Sequence, residues 1–395
     1  MVMEASSNAI LSVRQGQRVS KAARMKYEIV GNWDEVLASD KLHVLIDDSS
    51  APDEAAMAKW TEGPLWAEHE KAFYFSSPTT DRIWKLGRNS ANGTLGDRNI
   101  WATEAGGIDP NDHPNVAEPG SNGMASDPND PQSAVYICQQ GKRRIIRCRL
   151  SDHVMGMPLE SCPGFEVIAD KTPDGRPFNS PNDVVVSSNT GNIWFTDPIY
   201  GFLEKDRFAD TFDADGGSYL DNRACSDDGA GVKGVYCWNR GTRRVELVSA
   251  FHRRPNGLAL TPDESSLWIA DSTIGCPSWT RYDVVSREDG STALGKCAKQ
   301  VITPAVLGSV LGAADGCMSL LGTEGLSDGF KIDEEGRIWT SMPNGFAIID
   351  PNADDEKKLV CQILLGVNTS NVTFGSNGDV FFTGQGVWQM ERKLS

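Results

Sequence analysis

Six short phrases of one kind recur along this chain: a polar residue, a small or apolar run, a turn, then an aromatic-bearing strand. They read Glu62-Gly-Pro-Leu-Trp66, Ser121-Asn-Gly-Met124, Pro181-Asn-Asp-Val184, Pro255-Asn-Gly-Leu258, Ser327-Asp-Gly-Phe330 and Ser370-Asn-Val-Thr373. The lead polar residues, Glu62, Asn122, Asn182, Asn256, Asp328 and Asn371, are separated by 60, 60, 74, 72 and 43 residues. A period of this size marks a repeat architecture, in which each unit is one small sheet that buries its faces against its neighbours. Equivalent positions in such repeats face a common axis. The expected fold is therefore all-β, a six-bladed β-propeller, with a central metal site where the polar leads converge.

The interior of each phrase supports the same reading. Asn182 precedes Trp194 by 12 residues, Asn256 precedes Trp268 by 12, and Asp328 precedes Trp339 by 11. A hairpin of two short, alternating strands accounts for that interval. The 39 glycines, 20 prolines and 11 tryptophans suit many short strands joined by tight turns. Residues 1–25 read as a polar, flexible leader and 26–395 as one propeller domain. A strand within Lys41-Leu-His-Val-Leu-Ile46 is placed to pair with the last blade and close the ring. Two stretches exceed the repeat, an acidic, Gly-rich one at 203–232 and another at 303–322, and both are expected as loops over one face.

Charge and composition narrow the partners. With 38 basic against 54 acidic residues, the formal charge is −16. Nucleic-acid phosphates and anionic membranes both need a basic surface, so neither is expected to bind. No segment approaches the roughly 20 apolar residues that span a bilayer, and the N-terminus lacks the apolar block of a signal peptide. A cytoplasmic location is expected on that basis. Nine cysteines, odd in number and without a C-x-x-C pair, read as free buried thiols, with one bridge between loops as the alternative.

Asn before Gly or Asp is a common turn signal, because Asn tolerates left-handed backbone angles. Any one lead residue is explained by a turn alone. Their coincidence at one place in the repeat is not. A ring of Glu62, Asn182, Asn256 and Asp328 offers only carboxylate and amide oxygens. Two buried carboxylates facing each other are costly without a cation, and all-oxygen donors suit a hard ion. One divalent ion is expected, calcium first, with magnesium, manganese or zinc as alternatives. Asn122 is a candidate for contacting substrate or for lining the channel, and Asn371 for a structural part. Asp197, Asp271 and His252 read as strand-end or loop residues. The loop around Asp210–Gly216 fails as an EF-hand, since its first and last ligand positions would be Thr211 and Asn222.

The motifs Glu62-Gly-Pro-Leu-Trp66, Asn179-Ser-Pro-Asn-Asp-Val-Val-Val186, Trp194-Phe-Thr-Asp-Pro198, Pro255-Asn-Gly-Leu-Ala259 and Ser327-Asp-Gly-Phe330 resemble, in order, those of the senescence-marker-protein-30/gluconolactonase family. The resemblance spans about residues 55–392 and implies a six-bladed propeller and a metal-dependent hydrolase. It places the family's metal ligands on Glu62, Asn182, Asn256 and Asp328, and its general base on Asp328. One departure is Gln139-Gln-Gly141, where the bacterial gluconolactonases commonly carry Glu-His-Gly. The leading expectation is a lactonase acting on a small sugar-type lactone. The alternatives are hydrolysis of another ester or phosphotriester, a tailoring step on a secondary metabolite, and a non-catalytic binding platform.

Overall fold

The computed structural model describes residues 2–4, 26–47, 60–88, 95–108, 116, 118–130, 134–202, 233–273, 277–289, 291–295, 298–303 and 327–394. The insertion at 203–232, and that at 303–322 beyond its first residue, lie outside them. The described strands form six sheets, antiparallel except where Met157–Pro158 pairs parallel with Leu95–Thr103, and the innermost strand of each holds or directly follows one of the six phrases. Blade 1 starts at Glu62–Ala67, blade 2 at Ser121–Ser126 and blade 3 at Val184–Val186. Blades 4, 5 and 6 start at Pro255–Leu260, Phe330–Ile332 and Thr369–Phe374. Each innermost strand lies against the next, and that of blade 6 returns to that of blade 1. The arrangement is a six-bladed β-propeller.

Stacking of the blades explains where the apolar residues went. Six core clusters fill the six interfaces between neighbouring blades. The second strands, such as Ala72–Ser77, Ser266–Asp271 and Asp379–Gly384, are buried along their whole length because another blade covers each face. The in–out alternation expected of them is therefore lost, as it is for any strand covered on both sides. At the seam between the last blade and the first, Phe381 stacks on Phe73 at 4.6 Å and on Trp66 at 5.5 Å.

That seam is closed by the N-terminal segment. Strand His43–Asp47 pairs with Gly386–Glu391 and becomes the outermost strand of blade 6, as the Lys41–Ile46 pattern predicts. The chain also does something the pattern did not show. Strand Lys26–Gly31 adds to the outer edge of blade 5 beside Leu359–Leu364, and Val2–Glu4 pairs beyond it. One N-terminal stretch thus covers two exposed sheet edges, which removes two sites of edge-to-edge association. The five described cysteines, 138, 148, 162, 237 and 361, are free and buried. Among the described residues no helix is long and apolar enough to cross a membrane.

Candidate active site in the central channel

The polar leads reach the channel through a repeated defect in the innermost strands. In blade 1, Glu62 opposes Ser76 but the next paired residue, Leu65, opposes Tyr74, so one extra residue is inserted. The same shift separates Ser121 from Met124, Pro255 from Leu258 and Thr369 from Val372. A bulge re-aims the side chain beside it, and here the lead lies beside or within each bulge. The glycine after the lead has a matching purpose. A Cβ on Gly63 would stand 2.1 Å from the carbonyl oxygen of Asn122, one on Gly123 2.7 Å from that of Asn182, and one on Gly257 2.6 Å from that of Asp328. The Asn-Gly and Asp-Gly pairs are therefore not hairpin turns. They are places where one blade's backbone touches the next blade's lead residue.

Hydroxyls on or just beyond the second strands, and one ahead of the innermost strand of blade 5, tie neighbouring blades together beside these contacts. Ser76 Oγ donates to the Asn122 carbonyl at 2.9 Å, and Thr196 Oγ1 to the Asn256 carbonyl at 2.8 Å. Ser272 Oγ donates to the Ser327 carbonyl at 2.6 Å, while Ser327 Oγ donates to the Asp271 carbonyl at 2.7 Å. The leads of blades 4 and 5 are thereby locked together. Glu62, Asn122, Asn182, Asn256, Asp328 and Asn371 are all buried.

The electrostatics of this ring are strongly negative. Burial pushes the Glu62 carboxyl well above the ordinary range, and the charges of Asp328, Glu118 and Asp183 push it further. Burial does the same to Asp328, helped by Glu118 and Asp183 and opposed by a hydrogen bond from Asn256. Glu118 is pushed up to about 7, again by burial, with the Gln140 amide pulling the other way. Trp60 Nε1 donates to Glu62 Oε1 at 3.2 Å. Asn256 Nδ2 donates to Ser272 Oγ at 2.9 Å and to the Tyr200 hydroxyl at 3.4 Å. Glu62, Asn256 and Asp328 are thus brought into one charged neighbourhood. Asn182 and Asn122 are buried at the equivalent places of blades 3 and 2. Their backbones form the ring contacts given above.

Two aspartates at the ends of second strands position the leads. Asp197 accepts the backbone N–H of Asn179 and of Ser180, each at 2.8 Å, three and two residues before Asn182. Asp271 accepts the backbone N–H of Arg253 at 3.1 Å and of Arg254 at 3.3 Å, three and two residues before Asn256. Both read in sequence as strand-end residues, and both serve the backbone next to a lead rather than the channel. His252 packs against Tyr282 and faces Asp271 at 3.5 Å.

Four channel residues were not singled out in the sequence. Asp183 had a signal, since it stands where Gly63, Gly123, Gly257 and Gly329 stand in their phrases. Glu118, Tyr200 and Lys331 had none, because each reaches the channel from outside the repeated position. Among the described residues, no three His, Cys, Asp or Glu side chains are grouped so as to hold a metal ion by themselves. The donor set proposed from the sequence mixes two carboxylates with two amides.

Comparison with known proteins agrees with this architecture. Residues 60–383 match the family described as SMP-30/Gluconolactonase/LRE-like region. A gluconolactonase of Zymomonas mobilis subsp. mobilis is 28% identical over 352 residues, covering 87% of this chain and 81% of that protein. Among solved structures, a gluconolactonase of Xanthomonas campestris superposes with a TM-score of 0.60 at 22% identity, covering 93% of this chain and 94% of its own. A calcium-binding regucalcin of Agrobacterium tumefaciens superposes with a TM-score of 0.53 at 14% identity, covering 89% and 95%.

Proposed function

Because the chain belongs to the SMP-30/gluconolactonase/LRE-like family, we propose that it is a metal-dependent lactonase that opens a small sugar-type lactone to the hydroxy acid. The observation that carries this reading is the pair Glu62 and Asp328, two buried carboxyls whose charges meet in one channel. Such a pair is costly unless a proton or a cation intervenes, and a divalent ion fits the donors present. Glu62, Asn182, Asn256 and Asp328 would hold it, with calcium as the first candidate. Bound there, the ion would polarise the lactone carbonyl and offset the negative charge that develops on its oxygen.

The chain's own groups account for the rest of the reaction. Asp328 accepts a proton from the attacking water as the water oxygen bonds to the carbonyl carbon. The ring C–O bond then breaks, and the departing ring oxygen takes up the proton held by Asp328 to become the free hydroxyl. The Ser272–Asn256 hydrogen bond fixes the amide that shares the site with Asp328. Asn122, buried on the blade 2 side, is proposed to orient a substrate hydroxyl.

The test is hydrolysis of D-glucono-1,5-lactone by purified protein, before and after chelation and with calcium restored. Loss on chelation and recovery with calcium supports the assignment. A folded, calcium-loaded protein without activity rejects this substrate. Gln140 standing where bacterial gluconolactonases commonly carry His favours one second reading, the same site acting on a different ester, and a panel of lactones, aryl esters and phosphotriesters separates the two.

A further inference from the structure

Lys331 occupies an unusual place for a lysine. It lies on the innermost strand of blade 5, Phe330–Ile332, three residues after Asp328. Its Nζ donates to Asn371 Oδ1 of blade 6 at 3.4 Å and to the Phe330 carbonyl at 3.1 Å. The same ammonium stands 3.8 Å from Asp183 Oδ2 of blade 3. Blades 3 and 6 face each other across a six-membered ring. A single atom close to both must lie near the axis, so Lys331 crosses the channel.

The partner's situation is as informative. Asp183 is almost wholly buried, and its Oδ1 accepts the backbone N–H of Val184 at 2.9 Å. Its Oδ2 makes no hydrogen bond and has the Lys331 ammonium beside it. A buried carboxylate with one bare oxygen is costly unless a cation is near. The separation of 3.8 Å is too long for a hydrogen bond, so the contact is one of charge. Asp183 also acts on Glu62 and Asp328, which ties the pair to the ring of leads.

We propose that Lys331 is a fixed counter-cation of the channel, which neutralises Asp183 and thereby sets how tightly the neighbouring carboxylates hold a divalent ion. The proposal rests on the metal reading above. The charges of Glu118 and Asp183 act on both Glu62 and Asp328 here. The ammonium offsets Asp183, and an exchangeable ion would serve Glu62 and Asp328. Lys331 is thus a positioning residue of charge, not a ligand and not a group that touches substrate. Its removal exposes the ion to the uncompensated charge of Asp183. Removal of the Asp183 charge instead leaves the ammonium to repel the ion.

The two single substitutions must therefore move affinity in opposite directions, which a merely structural salt bridge does not do. Calcium titration of the full chain by calorimetry is the measurement, with melting curves in parallel to verify folding. Lys331→Met is expected to tighten calcium binding about tenfold and Asp183→Asn to weaken it about tenfold. The double variant should return close to the starting affinity, and Lys331→Arg should change it little. Should Lys331→Met not fold, Lys331→Gln and Asp183→Asn carry the same comparison. Weakening by both single substitutions, or no change by either, overturns the proposal while leaving the metal site standing. A folded protein that binds no divalent ion overturns both.

Discussion

Asp197 holds Ser180 by its backbone, with Oδ1 accepting the Ser180 N–H at 2.8 Å, two residues ahead of the candidate ligand Asn182. The other oxygen takes the Asn179 N–H, so one side chain fixes the whole approach to the lead. Asp271 repeats the arrangement before Asn256. Replacing Asp197 with Ala should destabilise the fold by about 2–3 kcal/mol, because two buried N–H groups lose their acceptor. Thermal or denaturant melts measure the cost. Calcium affinity should fall as well, through the displacement of Asn182. A variant with unchanged stability would show that the clamp is dispensable.

Glu62→Gln and Asp328→Asn should each separate stability from function. Either change removes one of two facing buried charges, so the chelated protein should gain stability on the order of 1 kcal/mol. Calcium binding should be lost or severely weakened. Asp328→Asn should also lower lactone turnover by at least about a hundredfold, as expected for loss of a general base. Melts in chelator, calorimetry and a lactone assay read the three effects. Undiminished calcium binding in both variants would sink the ligand assignment.

Without divalent ions, stability should decline as pH rises. Glu62 and Asp328 lie well above the ordinary carboxylate range and Glu118 at about 7, against 4.5 for an ordinary glutamate. Between about 4.5 and 7 the folded chain therefore keeps protons that the unfolded chain has released. Stability is fully present below that window and is lost as pH climbs through it. The chelated protein should melt at a lower temperature at pH 8 than at pH 5, and calcium should reduce the difference. Equal melting temperatures in chelator would argue against close approach of the carboxyls.

Gly257→Ala should disturb the ring from the backbone side. The new Cβ would stand 2.6 Å from the Asp328 carbonyl oxygen and 2.8 Å from the Gly329 Cα, both backbone atoms that cannot swing aside. A cost of about 1–3 kcal/mol is expected, together with weaker calcium binding. Gly87→Ala is the control, since nothing lies within 4 Å of its Cβ position. Similar melting temperatures for the two variants would remove close approach as the reason for the glycine.

Much of the site could be read along the chain because the defect that builds it is local and repeated. Each lead stands at one place in its phrase, and in blades 1, 2, 4 and 5 a glycine follows where the neighbouring blade presses close. The turn reading of Asn-Gly failed for the same reason. The glycine answers a contact with another blade, which no local sequence pattern displays. Glu118 and Tyr200 carried no repeated signal, since each is specific to its own blade.

The sequence by itself determined the number of blades, the strand that closes the last of them, and the buried polar residues at the start of the innermost strands. These follow from short-range periodicity and from repetition, which need no knowledge of distant contacts. The tertiary structure alone decided that Lys26–Gly31 covers blade 5, that Asp197 and Asp271 serve the backbone, and that Lys331 meets Asp183. Each of these joins groups from different parts of the ring or of the chain. Closing the ring brings blades that are not neighbours within reach of one another, and only then does a lysine on blade 5 stand beside an aspartate on blade 3.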